Sequence, residues 1–319
     1  MRRSIGRDFA FITGEPDLPN SGHISRYIFN RPEFLDLHHG VTADHFYLIR
    51  EKDAEVAGHI AFQHIGEDRV SLGRATFGSV EIHGRVRYDA VSEFIRQVLE
   101  FYGVNSCRSI LIRHYATIYD PYHAPLIAAA FSHNGFKISS IDINHHLGIS
   151  ETPFEALIHP MERRQLNKCL KAGYLCRPGK PGEHQRIYHH IVEFRQQRKI
   201  PVTFPFEDFS KSLDRFPEHY IPFQVLTKEN ELLAAAILIK TAPDISYYFF
   251  PADNPLRMGF SPMILLMQTV YEFSKANGAR FIDLGVSSKN DRPQTGLIHY
   301  KENLGGIPST RLNFQLDLR

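Results

Sequence analysis

The chain has 319 residues, 43% of them apolar and 23% charged, with a formal net charge of +2. That is a globular balance with length enough for two cores. It excludes an extended disordered chain, and the even charge removes the case for a nucleic-acid-coated protein while leaving room for a local basic groove. Three cysteines, Cys107, Cys169 and Cys176, form no CxxC pair and fit a reducing compartment. The N-terminal MRRSIGRDFAFITGEPD lacks the apolar run of a secretory signal, and the longest apolar run, LLAAAILI at 232–239, is too short to cross a bilayer. The expectation is a soluble, cytoplasmic protein.

Up to about residue 40 the chain reads as an irregular, proline-containing stretch. FYLIRE and EVAGHIAFQHI follow as strands joined by a turn at Glu51–Glu55, with RVSLGRATF and VEIHG as further strands. Residues 89–102 carry apolar side chains at helical spacing, with Asp89 as N-cap. CRSILIRHY is the next strand, PLIAAAFSHNGF a helix ending at Gly135, and KISSIDINHHLGI a closing strand. Beyond a boundary near residue 150, MERRQLNKCLKAG reads as a helix stopped by Gly173. EHQRIYHHIVEFRQQRK is a longer helix ended by Pro201, and EDFSKSLDRF a short one. IPFQVLTK, ELLAAAILIK and ISYYFFPA are strands. SPMILLMQTVYEFSKANG is a helix with Ser261 at the N-cap and Pro262 at the first helical position. RFIDLG is then a strand, TGLIHYKENLG a helix and RLNFQLDL the last strand.

The chain also repeats itself. VLEFYGVNSCRSILI (98–112) matches VYEFSKANGARFIDL (270–284) at six of fifteen positions: Val98/Val270, Glu100/Glu272, Phe101/Phe273, Asn105/Asn277, Arg108/Arg280 and Ile110/Ile282. FYLIREKDAEVAGHIAF (46–62) lies over FQVLTKENELLAAAILI (223–239) at nearly the same offset. A period this long means two similar domains, not a solenoid. The expected domains are 1–150 and 151–319. Each has a mixed, largely antiparallel sheet flanked by helices, because a strand–helix–strand step within one sheet makes its two strands parallel. Arg108 and Arg280, at equivalent points of both copies, read as architectural.

Three stretches carry a resemblance: RRQLNKCLKAG (163–173), GFSPMILLMQTVYEFSKANGARFIDLGVS (259–287) and GLIHYKENLGG (296–306). Their order and spacing, with the duplication, are similar to the GNAT acyltransferase superfamily in tandem, and to its FemABX-like branch. Tyr300 and Leu304 stand where that branch more often has Phe. The resemblance implies two tandem GNAT-like domains of mixed α/β class, the first a degenerate copy and the second binding the donor. It also implies direct attack by an amine on an activated acyl group, with acyl-coenzyme A as co-substrate, no tightly bound cofactor and no covalent enzyme intermediate.

Such a site must hold a diphosphate, stabilise an oxyanion and move a proton. The turn Arg257, Met258, Gly259, Phe260, Ser261 leads into a helix, where Gly259 admits close backbone approach and Arg257 adds charge. Taken alone it is an ordinary capped helix; with the resemblance it is the donor loop. Gly84–Tyr88 occupies the same place in the first copy. Lys301 and Tyr300 match the branch's Phe-Lys positions beside the transfer site, which implies that Lys301 helps bind or polarise the donor; otherwise they are a solvated lysine and a core tyrosine. Arg164, Lys168 and Lys171 share one helix face, with Arg163 beside it, and that face is either a phosphate-binding surface or merely solvated. Asp283 interrupts an apolar strand, as a base or amine-orienting group or as a structural residue. Of Tyr247 and Tyr248, which alternate along one strand, one faces the acceptor cleft; Tyr248 is the candidate. His184, His189, His190 and Glu193 share a helix but lack an HExxH spacing, so no metal is expected.

The expected function is an N-acyltransferase acting on a small-molecule amine or peptide-like acceptor in a cleft between the halves. One alternative is an aminoacyl-tRNA-dependent transferase acting on a peptidoglycan precursor. Another is a non-catalytic ligand-binding protein on the same scaffold. No general base is legible.

Overall fold

The computed structural model describes residues 1–14, 16, 25–35, 37, 42–71, 75–105, 107–256, 259–289 and 292–318. The first elements are β1 (Arg2–Ile5), β2 (Phe9–Thr13), α1 (Pro32–Leu35), β3 (Ala43–Arg50), β4 (Glu55–Ile65), β5 (Asp68–Val70) and β6 (Glu81–Ile82). They are followed by α2 (Tyr88–Asn105), β7 (Ser109–Arg113), α3 (His123–His133) and β8 (Lys137–Gly148). Next come α4 (Phe154–Leu157), α5 (Pro160–Lys171), β9 (Leu175–Pro178), α6 (His184–Gln197), α7 (Phe206–Arg215), β10 (Tyr220–Leu226), β11 (Leu232–Ala242) and β12 (Ile245–Asp253). The last are α8 (Pro262–Ala276), β13 (Phe281–Val286), β14 (Ser288–Lys289), β15 (Arg292–Pro293), α9 (Thr295–Asn303) and β16 (Ile307–Asp317). No helix among the described residues is long and apolar enough to cross a membrane.

By contacts the chain divides into two compact units, Met1–Ile143 with Ser309–Arg319, and Asn144–Pro308. In the first unit the strands run β1-β2-β3-β4-β5-β7-β16, then the start of β8. In the second they run from the end of β8 through β13-β12-β11-β10-β9. Each unit has one parallel step, β5 on β7 (Asp68↔Ser109) and β12 on β13 (Ile245↔Phe281), crossed by α2 and α8 respectively. The repeated arginines serve this step. Arg108 chelates Asp68 through Nε (3.0 Å) and Nη2 (2.5 Å), and Arg280 Nε reaches Asp244 at 2.7 Å. Each ties the start of the crossover strand to the hairpin that precedes the helix. Both are exposed, so they set register more than they add stability.

Three local readings change. The N-terminal stretch opens with a hairpin, β1 on β2, turned at Gly6 (φ +60°), whose Ala10 and Phe11 are buried. Strands of four and five residues are too short to give a periodic signal. Helix α2 begins at Tyr88, so Asp89 sits in its first turn and is not its cap. The closing strands also differ from the linear reading. The end of β8 pairs with β13 (Leu147↔Ile282), while the chain's last strand, β16, pairs with β7 (Phe314↔Ile112). Alternation fixes which face a strand buries, not which strand it lies beside.

All three cysteines are sheltered. Cys107 and Cys169 are buried, and burial pushes the half-buried Cys176 thiol up to about 12. Since the thiolate is the reactive species, a native-state titration with a thiol reagent at pH 8 should be nearly silent. Unfolding in guanidinium should then release all three thiols at once.

Candidate active site

The second unit builds its candidate site where β12 and β13 part. Their parallel ladder holds three pairs, ending at Tyr247↔Asp283. Beyond them β12 runs on to Asp253 with β11 on its other side, and β13 turns to β8. No ladder pair joins the two strands past that point among the described residues. β12 bulges there: Ala235 faces Ala252 and Ile237 faces Phe249, with Phe250 held at φ +55°. A bulge beside a parting pair turns backbone groups out of the ladder, where a ligand can meet them.

On the β13 side the register breaks between Asp283 and Gly285, and Gly285 has φ +74°. Any side chain there would press the Tyr247 ring, 3.2 Å from the Cβ position. Asp283, 3% exposed, accepts from Asn144 Nδ2 and from the Gly285 N–H, both at 2.8 Å, and so holds the bulge. Lys301 reaches in from α9 and donates to the carbonyls of Gly285 (2.7 Å) and Val286 (2.9 Å). In a regular strand successive carbonyls point to opposite edges; the left-handed glycine brings both to one amine. Lys301 is 6% exposed, and burial pulls its amine down to about 8 against the opposing pull of Asp283.

Tyr248 of β12 and Tyr300 of α9 lie within electrostatic reach of one another in the apolar core formed with α5 and α8. Both hydroxyls are buried without a hydrogen-bond partner, and burial holds both well above the usual phenol range. His145, fully buried on β8, shares a hydrogen bond with Ser287 Oγ at 3.0 Å, and burial, with Lys301 nearby, pushes its imidazole below the usual range.

The approach to α8 starts at Gly259, where φ is +91° and a Cβ would meet nothing within 4 Å. Phe260 is exposed, and its ring lies 5.4 Å from that of Tyr174. Ser261 is the N-cap and Pro262 follows at the first helical position, but the serine side chain makes no capping bond. Helix α8 thus presents an open N-terminus. Arg257 lies outside the described residues. On α5, Arg164, Lys168 and Lys171 are exposed with no acidic partner among the described residues, while Arg163 donates to the Glu155 carbonyl. The α6 histidines diverge: His184 bonds Gly179 O, His189 stacks on Phe206, and His190 pairs with Glu193 at 3.4 Å.

Lys301, Tyr300, Tyr248 and Asp283 therefore gather around the parted strands, and Gly259, Phe260 and Ser261 form the approach to α8. Glu162 was missed by sequence reasoning. It sits on the inward stripe of α5 with Leu166 and Cys169, at i, i+4 and i+7, and that spacing was its available signal.

Neither a family model nor a curated protein matches the chain. Among solved structures it is similar to FemX, with a TM-score of 0.66 and 14% identity over 87% of this chain and 88% of that one. It is similar to L-PGS from Bacillus licheniformis, at 0.58 and 13% over 92% and 93%. It is similar to a tandem GNAT protein from the clavulanic acid biosynthesis pathway, at 0.54 and 12% over 88% and 84%. At such identities the likeness is one of fold. The chain shares its fold with FemX and with a tandem GNAT protein.

Proposed function

We propose that the second unit transfers an acyl group from acyl-coenzyme A to an amine by direct attack. The observation that carries this reading is the parting of β12 and β13 beside the uncapped start of α8, on a fold shared with a tandem GNAT protein. The donor's diphosphate lies against the Gly259–Ser261 turn and the first N–H groups of α8. The thioester oxygen takes a backbone N–H from the freed edge of β12, which stabilises charge as it develops. The amine nitrogen forms the new C–N bond and the C–S bond breaks. Tyr300 gives its proton to the departing thiolate and regains one from the nitrogen. Lys301 and Asp283 hold β13 at its bulge, so that the geometry at the parting is fixed before the donor arrives.

A second reading rests on the exposed Arg164, Lys168 and Lys171 face, which suits a polyanionic donor such as an aminoacyl-tRNA. One titration separates the two. Coenzyme A should raise the melting temperature in proportion to the logarithm of its concentration above Kd. Gly259→Trp should remove that shift, whereas Gly259→Ala, which carries the same backbone strain at φ +91° without the bulk, should keep it. Tight, strongly salt-dependent tRNA binding without any response to coenzyme A would favour the second reading. A Gly259→Trp protein that bound coenzyme A normally would refute the loop assignment.

A further inference from the structure

Helix α5 is two-sided. Its outer faces carry Arg163, Arg164, Lys168 and Lys171, whereas Glu162, Gln165, Leu166 and Cys169 form the stripe turned toward the core. An acid at the third position of a helix ordinarily folds back to accept the N–H of the capping residue. That option is closed here, because the N–H of the cap, His159, donates to Asn303 O at 2.8 Å. The same bond ties the start of α5 to the end of α9 and brings Glu162 within electrostatic reach of the Tyr300 hydroxyl. Glu162 has no ion-pair partner among the described residues, and burial raises its carboxyl above the usual range against a weaker pull from His159.

Where α5, β12 and α9 pack into one core, the Glu162 carboxylate lies within electrostatic reach of the Tyr300 hydroxyl and Tyr300 within reach of Tyr248; the oxygens in question are that carboxylate, the hydroxyls of Tyr248 and Tyr300, and Gln165 Oε1 on the same inward stripe of α5. The last three are buried without a hydrogen-bond partner, and Tyr248 is 6% exposed. Leaving such groups unmatched is costly, and a ligand that supplies donors removes that cost. Asp253 adds negative potential nearby, although its own charge is paired with Arg198 at 2.8 Å. A set of acceptor oxygens around one unpaired carboxylate, lined by aromatic rings, suits a cation that brings its own N–H donors.

We propose that Glu162, Gln165, Tyr248 and Tyr300 form a subsite for a primary ammonium group. It deepens the acyl-transfer reading by assigning the residues that receive the acceptor; Glu162 is its charge-determining member and takes one proton from the bound ammonium, which frees the nitrogen lone pair for attack. Glu162 accounts for ammonium over alcohol, and the two hydroxyls with Gln165 account for ammonium over a bare ion.

The probes are n-butylammonium, n-butanol and potassium chloride at matched concentration and ionic strength, read by thermal shift and calorimetry. n-Butylammonium should stabilise the protein and the other two should not. Glu162→Gln should raise the Kd for n-butylammonium by about ten- to a hundred-fold, the effect of losing a hydrogen bond to a charged group. Tyr248→Phe deletes only an unmatched hydroxyl, so it should fold at or above the wild-type melting temperature while weakening n-butylammonium binding. Equal stabilisation by n-butanol or potassium would overturn the subsite, as would unchanged binding in Glu162→Gln or, should that variant not fold, in Tyr248→Phe. Coenzyme A titration stands apart from these arms. An n-butylammonium response without a coenzyme A response keeps the subsite and removes the acyl-coenzyme A reading, and the converse removes the subsite alone.

Discussion

Gly306→Ala should destabilise the protein by about 3 kcal/mol or more, the upper range for overpacking, visible as a lowered urea midpoint with unchanged m-value. Helix α9 ends in a Schellman motif: the Gly305 N–H bonds Glu302 O at 2.9 Å and the Gly306 N–H bonds Lys301 O at 2.8 Å. An added Cβ on Gly306 would lie 2.5 Å from Lys301 O and 3.1 Å from its carbonyl carbon. Those are backbone atoms of the residue whose amine holds β13, so relief must move Lys301 or break the motif. Gly305→Ala meets a related obstacle, with φ +85° and a Cβ 2.9 Å from Leu157 O, and should cost about 2 kcal/mol or more. Gly296, earlier in the same helix, is the control. Its Cβ would meet nothing within 4 Å, and Gly296→Ala should stabilise by about 0.5–1 kcal/mol. Equal effects at 296 and 306 would mean that helix propensity, not the packed helix end, governs α9.

Features set by local chemistry could be read from the sequence. Ser261 with Pro262 starts α8, Gly173 (φ +74°) follows α5, and the turn at Glu51–Glu55 joins β3 to β4. The duplication gave the parallel steps, because Arg108 and Arg280 repeat with the strands they anchor. Strand partnership could not be read in this way. β8 and β16 have ordinary alternation, and nothing local to either says that the last strand lies on β7. The site was legible as residue types and hidden as contacts. Lys301 was visible as a lysine in a resembling motif, but its two carbonyl partners exist only because Gly285 breaks the strand. Glu162 was hidden because an acid in the first turn of a helix is usually explained by the helix itself. Only the tertiary bond from His159 to Asn303 removes that explanation.

Relative to Lys301→Met, the wild-type protein should gain stability as pH rises from about 8 to 10.5. The amine's ordinary pKa is 10.5, and burial brings it to about 8 in the folded state. Between those values the unfolded chain holds a proton that the folded protein has released, so stability increases with pH across the window. Below pH 8 both states are protonated and the full burden of burying the ammonium is present; above 10.5 both are neutral and that burden is gone. The gap of 10.5 to about 8 corresponds to a gain of about 3 kcal/mol. The neutral amine still donates to Gly285 and Val286, so the gain does not come at the expense of the strand contacts. Lys301→Met keeps the volume and removes the titration, and the difference between the two proteins cancels the tyrosines and surface lysines that titrate over the same range. Urea unfolding at pH 7.5 and pH 10 measures that difference directly. If it were the same at both values, Lys301 would titrate as an exposed lysine does, and its burial against β13 would not govern its charge.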